Sequence, residues 1–327
     1  MRKILNKLLM IFAICYSATN YVSANPPSKI YISQVIKHNA LDITTKGIID
    51  ALEKNGFKSN VNLDLQLDIA QGNINLAAQI ASKFVNKNPD IVVGVGTVSA
   101  QSFLKYTKNN NFKLIFSTVT DPIGAGLIKN FVDENDKITG VSNFIDLQPQ
   151  IEIFTNIQPN LKKLGIIYNP GENNSIAIIN KLELICPKFG IKLVRQVANN
   201  TNDISISATK LVSQVDAIFI SNDNNALSGL GTIIQIANKS KIPVYVSDTD
   251  AVQLGALAAI GPNQYQVGIQ TGEMIASILN GKDIRQIKPE FPKSQELYIN
   301  LDAAKIINID IPEAIKKQAS KIISQDK

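Results

Sequence analysis

The stretch DIVVGVGTVSAQSFLKYTKNNNFKLIFSTVTDP, residues 90–122, decides the fold. It opens on a continuous apolar run, Asp90–Gly96, and reaches a second one, Lys113–Val119. Apolar runs of this length without polar alternation read as strands covered on both faces. A helical segment around Ser99–Lys108 separates them. Two parallel strands need a crossover of this kind, so the stretch reads as a strand–helix–strand unit.

The same alternation extends in both directions. Upstream, Ile30–Ile36 reads as a strand and Leu41–Asn55 as a helix stopped by Gly56. Val61, Leu63, Leu65, Leu67 and Ile69 alternate with polar residues, the mark of a half-exposed edge strand. Asn73–Asn88 is helical up to Pro89. Downstream, Asp121–Phe131 is expected to be helical, with Asp121 as N-cap and Pro122 at the first helical position. The pattern then restarts with strands at Lys163–Tyr168, Ile191–Val197, Asp216–Ile220, Ile242–Val246, Ala256–Ile260 and Leu297–Leu301. Helices are expected at Asn173–Phe189, Asp203–Ser213, Asn225–Ser240, Gln264–Leu279 and Pro312–Ile323. This alternation predicts an α/β protein with two doubly wound parallel-sheet lobes and a ligand cleft between them. The length of 327 residues agrees, being too great for one small core.

Composition limits the chemistry. Hydrophobic residues make up 45% and charged residues 18%, as in ordinary globular chains. The chain has one His and two Cys, so Cys15, Cys186 and His38 cannot fill a four-ligand zinc site. A Ser-His-Asp or Cys-His mechanism would rest on His38 alone. The better reading of His38 is a polar wall residue of the cleft. Gly94–Ser99 only approaches a dinucleotide fingerprint, and no phosphate-binding G-x-x-x-x-G-K-[ST] run is present. No cofactor and no metal are expected.

Residues 1–24 read as a signal peptide. Arg2, Lys3 and Lys7 precede an apolar run, Leu8–Cys15, and Val22-Ser23-Ala24 supplies the cleavage site. The run is short of the ~20 residues needed to span a bilayer. Lipid attachment at Cys15 is disfavoured, because Ile14 precedes it. The formal charge of +6 includes those three cations, which leaves about +3 on the remainder with no basic stripe. No nucleic-acid partner is expected, and the protein is read as a monomer.

In open α/β sheets, ligands bind beyond the carboxyl ends of the strands. The residues there are Ser33-Gln34, Thr97 and Ser99, Thr120-Asp121, Asn174-Ser175, Asp223-Asn224 and Asp248. Hydroxyls and helix N-termini suit a carboxylate, and an aspartate suits an ammonium group. The set suits a zwitterion such as an amino acid. Each loop alone is equally a helix cap. Tyr31, Phe116, Phe144, Tyr168 and Tyr265 could pack against an apolar solute.

Several ordered runs carry a resemblance. They are His38–Asp42, Pro89–Val93, Thr120–Leu127, Ile138–Val141, Tyr168–Ser175, Asp223-Asn224, Ser247–Asp250 and Gly255–Ala258. The chain resembles the periplasmic substrate-binding proteins of ABC transporters with the type I fold, in the subgroup linked to tryptophan and other aromatic amino acids. The resemblance implies two lobes joined by three crossing segments, with residues 25–142 and 251–295 in the first lobe and 143–250 and 296–327 in the second. It implies that Thr97, Ser99 and Thr120 receive a carboxylate and that Asp223 or Asp248 holds an ammonium. Asn174, Ser175 and Asn224 would complete the second lobe's side, with Gln34 and Asp121 also at the site. It further implies no enzymatic activity and a periplasmic location, with a membrane permease and ATPase as partners. A ligand sensor, or a carboxylate-dependent enzyme on the same fold, remains the alternative.

Overall fold

The computed structural model describes residues 26–324, apart from 134 and 145, so the expected signal peptide lies outside the described residues. The first sheet contains β1 (Ser28–Gln34), β2 (Leu63–Ile69), β3 (Ile91–Val95), β4 (Lys113–Val119) and β5 (Ile138–Ser142). Their spatial order is β2-β1-β3-β4-β5, and every pairing is parallel. Between them lie α1 (Asn39–Lys54), α2 (Ile74–Val85), α3 (Thr97–Ser102) and α4 (Leu104–Thr107).

After α5 (Leu147–Ile157), the second sheet is built from β6 (Lys163–Tyr168), β7 (Lys192–Val197), β8 (Ala217–Ile220), β9 (Val244–Val246), β10 (Ala258–Gly261), β11 (Glu296–Asn300) and β12 (Lys321–Ile323). Its order is β12-β11-β10-β9-β8-β6-β7. The β10–β11 pair is antiparallel and the others are parallel. The helices of this half are α6 (Asn173–Ile185), α7 (Ile204–Val212), α8 (Asn224–Ser228) and α9 (Leu230–Lys239). After β10 comes α10 (Gln264–Leu279), and after β11 come α11 (Leu301–Ile307) and α12 (Glu313–Gln318).

Sequence pattern explains position in each sheet. All five residues of β3 are buried, which requires cover on both faces. The alternating β2 sits at an edge, as does the half-exposed β7. The helix α10 returns to the first lobe and packs along α1. Small residues make that contact possible. A Cβ on Gly268 would lie 2.1 Å from the Thr44 carbonyl oxygen, and one on Gly47 would lie 2.4 Å from the Tyr265 carbonyl oxygen. Backbone cannot yield as a side chain can, so overpacking here is costly. Gly268→Ala is expected to destabilise the protein by about 1–3 kcal/mol or more, read as a lower midpoint in thermal unfolding; an unchanged midpoint would contradict this account.

Three expectations are corrected. Residues 251–261 belong to the second sheet, because β10 pairs with β9 and β11; only from Asn263 onward does the chain re-enter the first lobe. Asp121–Phe131 forms turns instead of a helix. Asp121 caps one turn through the Gly124 N–H at 2.9 Å, and Gly126 at φ +73° ends it. The expected last helix stops at Gln318, and 321–323 adds an edge strand.

The chain passes between the lobes three times, after β5, after β10 and before β11. Phe144 on the first crossing and Phe291 on the third meet with ring centroids 5.8 Å apart, and Phe291 stacks on Phe131 at 4.1 Å.

Candidate functional site

Strand order places the site. In the first sheet the chain leaves β1 for β2 on one side and returns to β3 on the other. In the second, β7 and β8 flank β6 in the same way. Each reversal opens a crevice at the strand ends, and the two crevices face one another. The loop after β1 and the β3–α3 turn bring His38, Ala40, Leu41, Gly96 and Thr97 to the wall. The loops after β6 and β8 bring Asn174, Asn222 and Asn224. Thr118, Thr120, Asn143, Leu227, Asp248 and Gln264 complete an enclosure of about 370 Å³ of empty space, its mouth included.

Direct contacts close the lobes over it. His38 Nε2 lies 3.3 Å from Asn224 Oδ1. Asn222 donates through Nδ2 to Thr120 Oγ1 and to the Asn143 carbonyl, both at 3.2 Å.

The wall is acidic without a cation. Asp248 is buried, and its Oδ1 accepts the Asp250 N–H at 3.1 Å as a local cap. Burial, then the neighbouring Asp250, pushes its carboxyl up to about 7. Burial pushes Glu172 and Asp223 up as well, and Asp223 adds to the effect on Glu172. His38 is held down at about 4, chiefly by burial, and is neutral. Among the described residues, no Lys or Arg lines the cavity. Two wall atoms, Thr97 Oγ1 and Asn174 Oδ1, are buried without a hydrogen-bond partner. Such atoms are rare in folded proteins, and both belong to residues that line the cavity. Thr118 adopts φ +56° at the irregularity in β4, a conformation a β-branched residue seldom takes.

Of the residues singled out in the sequence, Thr97, Thr120, Asn174, Asn224 and Asp248 line the cavity, and His38 joins them. Gln34, Ser99, Asp121, Ser175 and Asp223 do not. Gln34 is tied to the Ile36 carbonyl, Asp42 and Thr45. Ser99 pairs with Ser33 at 3.1 Å. Asp223 accepts from Asn169 N–H and Ser175 Oγ, both at 2.6 Å, and from Ala226 N–H at 2.9 Å. It therefore serves as the knot tying the β6 and β8 loops together. None of the five aromatic candidates lines the cavity. Sequence reasoning missed Thr118, Asn143, Asn222, Gln264 and the buried Glu172. Asn222 directly precedes the singled-out Asp223, whereas Gln264 opens a helix whose lobe the periodicity could not assign.

The charge pattern has a consequence for pH. A cationic group bound at Asp248 needs the carboxylate, so binding expels a proton below pH 7. Affinity for such a solute is expected to rise about tenfold per pH unit up to about 7 and then level off. For the free protein the sign reverses. A carboxyl raised in the folded state favours folding at low pH, and that contribution fades from about pH 4 to 7. Titration calorimetry and thermal unfolding from pH 5 to 8 check both trends, and a flat affinity profile would refute the first.

A family model described as "ABC transporter substrate binding protein" matches residues 29–323. A tyrosine-binding protein of Clostridioides difficile is 31% identical over 280 residues, which cover 86% of this chain and 81% of that protein. The structure is similar to that of an ABC domain from Streptococcus pneumoniae in complex with L-Trp. That match has a TM-score of 0.86 and 31% identity, over 91% of this chain and all of the other. A ligand-free, open substrate-binding protein from Clostridium difficile, CD0873, has nearly the same identity, 30%, and the same coverage, but a TM-score of only 0.66. In the present structure the two lobes touch across the cleft through His38 and Asn224 and through Asn222 and Thr120. Two parallel-sheet lobes, three crossings and an interlobe cavity are the anatomy that the family model spans almost end to end, and the chain belongs to the ABC transporter substrate-binding proteins.

Proposed function

We propose that this protein captures a small zwitterionic solute, an amino acid and by kinship an aromatic one, outside the cytoplasm, and presents it to a membrane permease and its ATPase. The observation that carries this reading is the buried Asp248 carboxylate on a cavity wall that includes no Lys or Arg among the described residues. A buried charge without a counter-ion is costly, and an ammonium group relieves it. On the other side Thr97 offers an unpartnered hydroxyl, with Thr118 and Thr120 nearby on the same wall, for the solute's carboxylate. Closure is a population shift favoured by contacts from both lobes. The reading is of binding without turnover, and His38 is already engaged as the cap of α1.

The test is a thermal-shift screen of the chain from residue 25 against L-amino acids, sugars and purines. A solute at 100 times its Kd stabilises by about 2.7 kcal/mol. Stabilisation by L-tyrosine or L-tryptophan is the expected result. A response to sugars or purines alone would overturn the assignment.

A further inference from the structure

Glu172 does not line the cavity, yet it touches two residues that do. Its Oε2 accepts from Asn174 Nδ2 at 2.9 Å and from Asn224 Nδ2 at 2.5 Å, with the Asn224 N–H at 3.4 Å. Asn174 Nδ2 also donates to the Asn222 carbonyl at 2.8 Å. An amide has one donor end and one acceptor end. With both Nδ2 groups drawn toward Glu172, both carbonyl oxygens must point away from it. Asn224 Oδ1 then meets His38 across the cleft, and Asn174 Oδ1 is left buried without a partner on the cavity wall.

The His38 tautomer fits the same orientation. His38 Nδ1 accepts the Leu41 N–H as the cap of α1, so in the neutral ring the proton sits on Nε2. Nε2 donates, and Asn224 must offer it oxygen. The network is thus self-consistent from the backbone of α1 to the second lobe.

We propose that Glu172 is a positioning residue for solute selection: by fixing the amides of Asn174 and Asn224 it turns the Asn174 carbonyl oxygen into the cavity, where with Asp248 it selects a solute bearing a protonated amino group. This rests on the amino-acid reading above and adds the group that enforces it. A carbonyl oxygen and a carboxylate are both acceptors, and a solute without a donor head leaves both unpaired. Discrimination against lost donors is where buried polar sites are strongest.

The experiment compares L-tyrosine and L-tryptophan with their deaminated analogues, 3-(4-hydroxyphenyl)propanoate and indole-3-propanoate, by titration calorimetry. Wild-type protein is expected to prefer the amino acids by at least a hundredfold. Glu172→Leu removes the acceptor, and that preference is expected to fall at least tenfold, with analogue affinity little changed. Glu172→Gln can keep a carbonyl oxygen facing the two amides and is expected to retain most of the preference. Asn174→Leu removes the selecting oxygen directly and is expected to match Glu172→Leu; combined, the two losses should not add, since one acts through the other. If Glu172→Leu does not fold, Asn174→Leu and Glu172→Gln carry the comparison. A wild-type protein without preference for the amino acids overturns the amino-acid reading itself. A selective wild-type protein beside equally selective Glu172→Leu or Asn174→Leu variants overturns only the positioning role.

Discussion

Asp248→Asn is expected to weaken amino-acid binding by about a hundredfold while leaving the free protein as stable as before, or more so. Both halves follow from the same burial. The carboxylate faces a cavity without Lys or Arg and accepts one backbone N–H. In the empty protein it is an uncompensated charge, held near neutrality only by taking up a proton. Asparagine keeps an oxygen for the Asp250 N–H and removes that burden. In the complex the balance inverts, because the solute's ammonium loses its counter-ion. Breaking a buried charge pair costs about 2–5 kcal/mol, and each 1.4 kcal/mol is tenfold in Kd. The variant should also lose the pH dependence of affinity. Titration calorimetry at pH 6 and pH 8 with thermal unfolding of the empty protein measures all three, and binding within threefold of wild type would remove Asp248 as the anchor.

Asp223→Ala is expected to give the opposite split. Asp223 is 1% exposed, and its carboxylate takes three donors from one loop and two helix starts. Removing it strands the Asn169 and Ala226 N–H groups and the Ser175 hydroxyl inside the second lobe. A buried donor left unmade costs about 1–3 kcal/mol, so a loss of at least 3 kcal/mol is expected. For a lobe of this size that is a fall of roughly 6–12 °C in Tm. Any loss of binding should scale with the unfolded fraction and recover on cooling. A variant with wild-type Tm and lost binding would return Asp223 to direct contact with the solute.

The contrast between these two aspartates shows where sequence reading stops. Both follow a buried strand and both precede a helical turn, so both look alike as caps and as anchors. Their difference is topological: Asp223 lies where β8 meets the β6 loop, so neighbouring N–H groups surround it, while Asp248 lies one strand farther out and faces the gap. The strand alternation from Ile30 to Ile242 was readable because burial on two faces leaves an unbroken apolar run. The lobe assignment of Ala258–Gly261 was not, because a short run of small apolar residues fits either sheet, and only its pairing with Tyr245 and Ile299 decides. Asp121–Phe131 misled because Asp-Pro is a genuine helix opening, and Gly124 and Gly126 withdraw it three residues later. Glu172 escaped notice because its role is felt only through Asn174 and Asn224, half a lobe apart in sequence.

The glycine-lined contact between α1 and α10 also governs the order in which the molecule can assemble. Thr44 and Gln264, hydrogen-bonded in the finished structure, are 220 residues apart in the chain. The first sheet is complete by Ser142, yet the helix that seals one part of it is synthesised only after most of the second sheet. Contacts this distant in sequence are entropically expensive to close and slow the folding search. A nascent chain of this design therefore stays unfinished, with the apolar face of α1 open, until its last quarter emerges.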